Sequence, residues 1–382
     1  MIDVLIVGGG LAGAATAYFL AREGVAATLL ERGDLNTRAS GSNAGSVHAQ
    51  IPHEPFVVNG EAWARGFAPT IPIMMAGIRL WREMEAELGV DLEVATPGGL
   101  LVAETDAQMR VVVRKAEIER AQGLPVEILS RADLRAIAPY VADDLVGGAF
   151  CPIEGKANPL AATPAFAAAA QARGARIERF VEVRGIVRER VGFTVETSRG
   201  PVRARRIVNA AGAEAAAIAR MVGVALPLEA HPIQVTVTEP VAPLVRHLLY
   251  FAGEKLTLKQ TPVGSLLIGG GWPARRDPAT GRLSPDPASL AANLALACRV
   301  VPGVAEARVV RTWPALVNGT DDWRPILGEP PGTPGFFMAI FPWMGFTAGP
   351  IAARLVTDLI LGRTPEIDVS AFAPGAAPAH AG

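Results

Sequence analysis

The sequence predicts an α/β fold of two interleaved units, on three observations. The chain has 382 residues, half of them hydrophobic. That is length for two domains at roughly 100–200 residues each, and enough to bury a sizeable core. The pattern changes from strand to helix to strand within the first ~30 residues, as a βαβ unit requires. A second run of alternating helical and strand-like segments begins near residue 159 and returns at the C-terminal end.

Taken in order, residues 2–7 are β-rich and read as a strand, and 11–22 have helix-forming composition with Gly24 as the stop. Residues 26–31 form a second strand. Residues 32–59, rich in Gly, Ser, Asn and Pro, read as a long loop. Helices follow at 70–88, ending at Gly89, and at 105–122. Ser130-Arg131-Ala132-Asp133 spells a capping box for a short helix that stops before Pro139. Residues 159–173 are an Ala-rich helix, 175–180 a strand, 185–196 two strands, and 205–210 a strand leading into small residues. Residues 232–238 and 256–269 are strand-like, the latter turning at Pro262-Val263-Gly264-Ser265. A helix at 289–300 and an apolar strand at 335–341 precede a Gly-rich turn and a last helix from about 350 to 361. The Ala/Pro/Gly-rich tail from Ala373 is expected to lack regular structure. One unit takes 1–82, 147–222 and 320–382; the other takes 83–146 and 223–319.

Composition narrows the function. Lys plus Arg number 36 against 37 Asp plus Glu, with no block of like charge. Nothing points to nucleic acid or to an anionic membrane surface. Cys151 and Cys298 have no CxxC spacing, which excludes a disulfide framework and a dithiol centre and fits a reducing cytoplasm. Residues 4–21 are almost wholly apolar, but no basic stretch precedes them and four glycines interrupt them. A buried strand running into a helix is expected there, with no signal peptide or transmembrane segment. Membrane association through a partner stays open.

The chemistry-bearing motif is Gly8-x-Gly10-x-x-Gly13, between the first strand and the first helix. Gly8 permits a tight turn, Gly10 lets the backbone approach a pyrophosphate, and Gly13 lets helix and strand pack closely. The helix N-terminus then offers N–H groups and a positive dipole end to phosphate. Glu31 closes the second strand, where a carboxylate accepts hydrogen bonds from ribose hydroxyls and repels a 2′-phosphate. This is a Rossmann-type dinucleotide site, and the motif alone does not separate FAD from NAD.

Three further segments favour FAD. Ser40-Gly41-Ser42-Asn43-Ala44-Gly45-Ser46 can follow an extended cofactor with small residues and backbone N–H groups. Val208-Asn209-Ala210-Ala211-Gly212 ends a strand in tiny side chains that can lie against a ligand. Residues 341–350 form a Gly-rich turn whose helix N-terminus can stabilise negative charge on a reduced flavin, with Pro350 in the first helical turn. The plainer readings are a surface loop, tight strand–helix packing and a buried turn. No second GxGxxG follows: Gly269-Gly270-Gly271 runs into Trp272-Pro273, so no NAD(P)H site is expected.

Together these segments, with Arg38-Ala39-Ser40, Leu267-Ile268-Gly269-Gly270 and Thr320 to Gly328, make a chain that resembles the D-amino-acid oxidase-like flavoproteins, the glycine and sarcosine oxidase type. Glu154-Gly155-Lys156-Ala157-Asn158-Pro159-Leu160 and Phe341-Pro342-Trp343-Met344-Gly345 look more like the catalytic subunits of opine oxidases, hydroxyproline dehydrogenases and hydrogen cyanide synthase. The resemblance implies non-covalent FAD, an interleaved α+β substrate domain, and oxidation of an amine or amino acid (secondary amine, D-amino acid, hydroxyproline or opine) to an imine. It also implies partner subunits as an option. Several members carry a carboxylate-binding Arg where this chain has Val317, so Arg311, Arg324 or Lys259 must substitute or the substrate is an amine. The alternatives are an FAD-carrying subunit inactive alone and an NAD-binding dehydrogenase.

The cofactor-binding candidates are Gly8, Gly10, Leu11, Ala12, Gly13, Glu31, Arg32 and Arg38, then Ser40, Gly41, Asn43, Ala44, Gly45 and Ser46. Val183, Ala211, Gly212, Gly345, Phe346 and Thr347 complete them. Catalytic candidates are His48, Thr257 and Lys259; substrate candidates are His48, Gln50, Trp272 and Trp343. Each also has a plain reading: a hydrogen-bonded structural histidine, a solvated edge lysine, core tryptophans. Asp321 and Asp322 read as turn caps, and His247 and His380 as surface residues. His48 and His53 have no metal spacing, and no metal is expected.

Overall fold

The computed structural model describes residues 1–375. Two eight-stranded sheets organise it. In the first, Ile2–Val7 is central, with Ala27–Glu31 parallel on one side and Val202–Asn209 parallel on the other. Arg176–Arg179 continues the sheet outward beside Ala27–Glu31, and Phe336–Ile340 lies parallel beside Val202–Asn209. Val4, Leu5 and Ile6 are fully buried because both faces of this strand are covered, which explains a continuous apolar run in place of alternation.

The first helix, Leu11–Arg22, packs against Pro159–Ala172 and Gly345–Ile360. Because its neighbours run parallel, the central strand shares one edge with their carboxyl ends: Val7, Glu31, Asn209 and Ile340 all open onto the same side. Ligands bind in the crevice at that edge in open α/β sheets.

The second sheet runs in the order Val309–Gly319, Glu229–Pro240, Ser265–Gly269, Thr257–Gln260, Leu248–Phe251, Gly99–Ala103, Gly147–Cys151, Glu127–Ser130. Gly147–Cys151, grouped by sequence with the nucleotide-binding unit, therefore belongs to this sheet, paired with Gly99–Ala103 and Glu127–Ser130. Val309–Gly319 gave no strand signal because Pro314 interrupts it. It forms an edge strand along Glu229–Pro240, where a missing N–H is tolerated.

Three further expectations change. The supposed loop at 32–59 holds a one-turn helix, Ala39–Ser42, and the start of a longer one, His53–Phe67. Pro55 falls in the first turn, where proline is permitted, and Gly60 at φ 79° kinks the helix. The last helix starts at Gly345, a full turn before Pro350, which lies inside it and leaves the Phe346 carbonyl without its usual donor. His247 is buried, not on the surface: Tyr140 Oη lies 2.8 Å from its Nδ1.

Other elements follow the sequence closely. Ser130 and Asp133 form the expected capping box, and Gly89 ends Ile71–Leu88 in the left-handed conformation. Asp322 caps a turn by accepting from the Arg324 amide. Residues 376–382, most of the expected irregular tail and with it His380, lie outside the described residues. No helix among the described residues is long and apolar enough to cross a membrane.

Candidate functional site

A groove of about 510 Å³ runs along the carboxyl edge of the first sheet. Gly8 stands at φ 113°, and a Cβ there would lie 2.6 Å from the Ala210 carbonyl oxygen, so only glycine lets these strands end this close together. Gly13 is crowded by the Gly8 carbonyl in the same way, which seats the helix on the strand. Glu31 pins the loop between them: its Oε2 accepts from the Gly9 amide at 2.7 Å and its Oε1 from Gly33 at 2.7 Å. Ser40 Oγ accepts the Leu11 amide at 2.9 Å.

The amides of Ala12 and Gly13 fall in the first turn, beyond reach of helical acceptors, and that turn itself carries no acidic residue. Ala12 lines a groove edged by the exposed Arg32 and Arg38. A glycine-lined cradle with spare N–H donors, flanking cations and a terminal carboxylate fits a dinucleotide pyrophosphate and its ribose.

Most of the cofactor candidates meet here. Gly8, Gly10, Leu11, Ala12 and Glu31 line the groove at one end; Arg32, Arg38, Ser40 and Asn43 follow. Val183, Ala211 and Gly212 line it too, Ala211 directly beside Gly8, and Gly345 and Phe346 line it at the start of the last helix. Gly13, Gly41 and Gly45 do not line it. Their missing side chains let the backbone close on Gly8, Asn36 and Ala157 respectively.

A second cavity of about 260 Å³ adjoins the groove, sharing Ser42, Asn43, Ala315, Val317, Trp343 and Phe346 with it. Ala44, Ser46 and Thr347 line this cavity, not the groove. Thr347 Oγ1 accepts the His48 amide at 3.0 Å and donates to the Ser46 carbonyl at 3.2 Å, so the last helix holds the 46–48 segment in place. His48, Gln50, Thr257 and Trp343 line the cavity as well. Trp343 takes φ 59°, a left-handed conformation rare for a bulky residue, and stacks on Trp323 at 4.9 Å and against His231 at 4.6 Å. Strain of that kind, over-determined by packing, gathers at ligand sites.

Lys259 is buried just behind the lining, its Nζ donating to Ser46 Oγ at 2.8 Å. Burial, and then the charge of Lys156, push it down to about 7. Burial pushes His48 down to about 4, with Lys259 adding to the effect, so its imidazole is neutral near pH 7. Trp272 does not reach the cavity. Gly270 and Gly271, both at positive φ, turn the chain away, and the indole donates to the Lys255 carbonyl and packs on the core of the second sheet.

Sequence reasoning missed the cavity floor. Glu154, fully buried, accepts from the Ala49 amide at 2.6 Å, the Gln50 amide at 2.7 Å and Gln50 Nε2 at 2.9 Å, with Tyr250 Oη at 3.4 Å. Burial pushes the Glu154 carboxyl up against those bonds, and it pushes Tyr250 well above the usual phenol range with Glu154 beside it. Lys115 and Glu119 pair one helical turn apart, and Glu119 also accepts the Ile51 amide at 2.7 Å. The signal lay in register: Val112, Lys115, Ala116 and Glu119 share the buried face of Asp106–Ala121, so two charges sit where an amphipathic helix turns inward.

The arrangement is thus a dinucleotide groove opening onto a mostly apolar cavity with a few polar groups, the charged Glu54, Lys115, Glu254 and Lys255 among them. The beta chain of sarcosine oxidase from Rhizobium meliloti (strain 1021) is 28% identical over 380 residues, covering 97% of this chain and 87% of that protein. The glycine oxidase of Geobacillus kaustophilus (strain HTA426) is 28% identical, covering 97% and 96%. The crystal structure of glycine oxidase from Geobacillus kaustophilus superposes with a TM-score of 0.84 at 25% identity, covering 97% of this chain and 98% of that one. That of L-proline dehydrogenase from P. horikoshii shares the fold, with a TM-score of 0.85 at 23% identity over 98% and 96%. Residues 3–359 match the DAO family of FAD dependent oxidoreductases, so the chain belongs to that family and its cofactor is FAD.

Proposed function

We propose that the chain oxidises the C–N bond of an amine or amino acid to an imine, with FAD held without a covalent tether. The observation that carries this is the continuity of cavity and groove through Val317, Trp343 and Phe346, which brings a small molecule directly against the bound cofactor. Bound there, FAD supplies a two-electron acceptor for a hydride equivalent. The protein's own part is binding, orientation and exclusion of water. His48 and Gln50 offer neutral hydrogen-bond partners to the substrate nitrogen, and Trp343 and Phe346 wall the junction. The Gly345–Ile360 helix directs its N-terminus at the same junction, where it favours negative charge.

In this reading the pyrophosphate sits at the first turn of the Leu11–Arg22 helix, against the Ala12 amide, and the ribose on Glu31. The first sheet serves the cofactor and the second the substrate. Neither cysteine lines the groove, which supports non-covalent FAD, and two unbridged thiols are consistent with a cytoplasmic protein. Relatives named as single components of sarcosine oxidase and of opine oxidase support a second reading, a catalytic chain that passes electrons through partners.

Anaerobic mixing of the FAD-loaded single chain with a panel of primary and secondary amines, D- and L-amino acids and opines tests both. Bleaching of the flavin by a panel member supports independent amine oxidation. An FAD-loaded chain bleached by none of them, yet bleached by dithionite, counts against it.

A further inference from the structure

The charges that line the cavity are paired, and a cation close behind it is not. Lys115 is buried in its pair with Glu119. At the mouth Lys255 pairs with Glu54 at 3.1 Å, and Glu254 with Arg299 at 3.2 Å. Lys259 differs. It is 1% exposed, and among the described residues its one hydrogen-bond partner is the neutral hydroxyl of Ser46, at 2.8 Å. An ammonium carries three donors.

Among the described residues no carboxylate pairs with Lys259. Glu154 spends its oxygens on Ala49, Gln50 and Tyr250. His48 is uncharged near pH 7. The charge that does act on Lys259 is a second cation. Lys156 stands opposite Ser46 in the paired strands Ser46–Val47 and Gly155–Lys156, donates to the Gln260 carbonyl, and repels Lys259. A buried cation without a counter-ion is costly, so this spot favours an incoming anion.

Ser46 carries that demand into the cavity, which it lines. Its oxygen accepts from Lys259, which leaves its own O–H free, and no acceptor among the described residues takes it. Thr347, in the first turn of Gly345–Ile360, bonds the Ser46 carbonyl and so keeps the hydroxyl near the junction with the groove. The other cations named for a carboxylate are turned away: Arg311 is exposed on the edge strand, and Arg324 donates to the Ala371 carbonyl and lies over Phe372. The oxidised flavin ring is neutral, so in the oxidised enzyme the anion comes with the substrate. Resting on the amine reading above, we infer that the substrate is an amino acid whose carboxylate accepts from the Ser46 hydroxyl, with Lys259 as its counter-ion.

Burial and Lys156 hold Lys259 down to about 7, so carboxylate binding above that pH takes up a proton. The test is calorimetric titration of the FAD-loaded, oxidised chain with acetate, propanoate and 3-phenylpropanoate, each against its primary amide. It reads binding and needs no turnover. At pH 6.5 at least one carboxylate should bind more than about tenfold tighter than its amide. Its affinity should fall above pH 7, approaching tenfold per pH unit, and Lys259→Met should abolish both the preference and the pH dependence. Wild-type protein in which no carboxylate outbinds its amide overturns the inference, as does a Lys259→Met protein that keeps the preference. Either result leaves amine oxidation standing if a member of the wider panel still bleaches the flavin. Carboxylate binding as described, with a flavin that no amine or amino acid bleaches, brings down the amine reading and the assigned substrate and leaves only the anion site.

Discussion

Gly8→Ala is the sharpest perturbation of the cofactor groove. A Cβ at residue 8 lies 2.6 Å from the Ala210 oxygen, and ordinary contact begins near 3.4 Å, so about 0.8 Å must open between the two strand ends. Overpacking of that kind costs roughly 1–3 kcal/mol. Holding alanine at φ 113° adds roughly 1–3 kcal/mol of backbone strain. The substitution should therefore take about 2–6 kcal/mol from the native loop. If only the lower bound reaches the cofactor, FAD affinity falls about thirtyfold.

Fluorescence titration of flavin-free protein with FAD reads this directly, with circular dichroism confirming the fold. Gly24→Ala is the control: it too has positive φ, at 75°, but nothing lies within 4 Å and it is far from the groove. It should cost about 1 kcal/mol of stability and leave FAD affinity unchanged. A Gly8→Ala protein that binds FAD within about threefold of wild type would refute the reasoning.

Three other outcomes follow from the site. Glu119→Ala strands the buried Lys115 charge and should destabilise by about 3–5 kcal/mol, whereas Lys115→Met with Glu119→Leu should recover most of that in urea unfolding; equal loss in both contradicts the pairing. Lys259, at about 7 when folded and 10.5 when unfolded, binds fewer protons in the folded state across that window. Its contribution makes stability rise with pH between those values and stay level below them. Lys259→Met should remove a rise of roughly 3 kcal/mol between pH 7 and about pH 9.5, and the same slope in both proteins argues against the burial described. Thr347→Val removes the two hydrogen bonds that tie the 46–48 segment to the last helix, and should lower the unfolding free energy by about 1–3 kcal/mol; an unchanged midpoint argues against that link.

The cofactor half of the site was legible in the sequence because its determinants are local. The βαβ unit compresses strand, glycine turn, helix and Glu31 into one short stretch, and each residue's role follows from the turn it makes. The Ser130–Asp133 cap was legible for the same reason. Long-range features were not. Val309–Gly319 is a strand only because Glu229–Pro240 lies beside it, and Pro314 hid it from any local rule. His53–Phe67 was masked by its own Pro55 and Gly60. The cavity floor joins residues about a hundred positions apart, as Glu154 does with Gln50 and Tyr250, and no motif spans that distance. Trp272 shows the converse: two glycines of positive φ decide where it points, which its sequence neighbours do not reveal.

The most direct test of C–N oxidation at this site is a product count. An anaerobic single turnover of the FAD-loaded chain with an excess of the best secondary amine should yield one carbonyl compound and one shortened amine per flavin reduced, from hydrolysis of the released imine. Flavin reduction that releases neither a carbonyl compound nor a shortened amine would contradict the account.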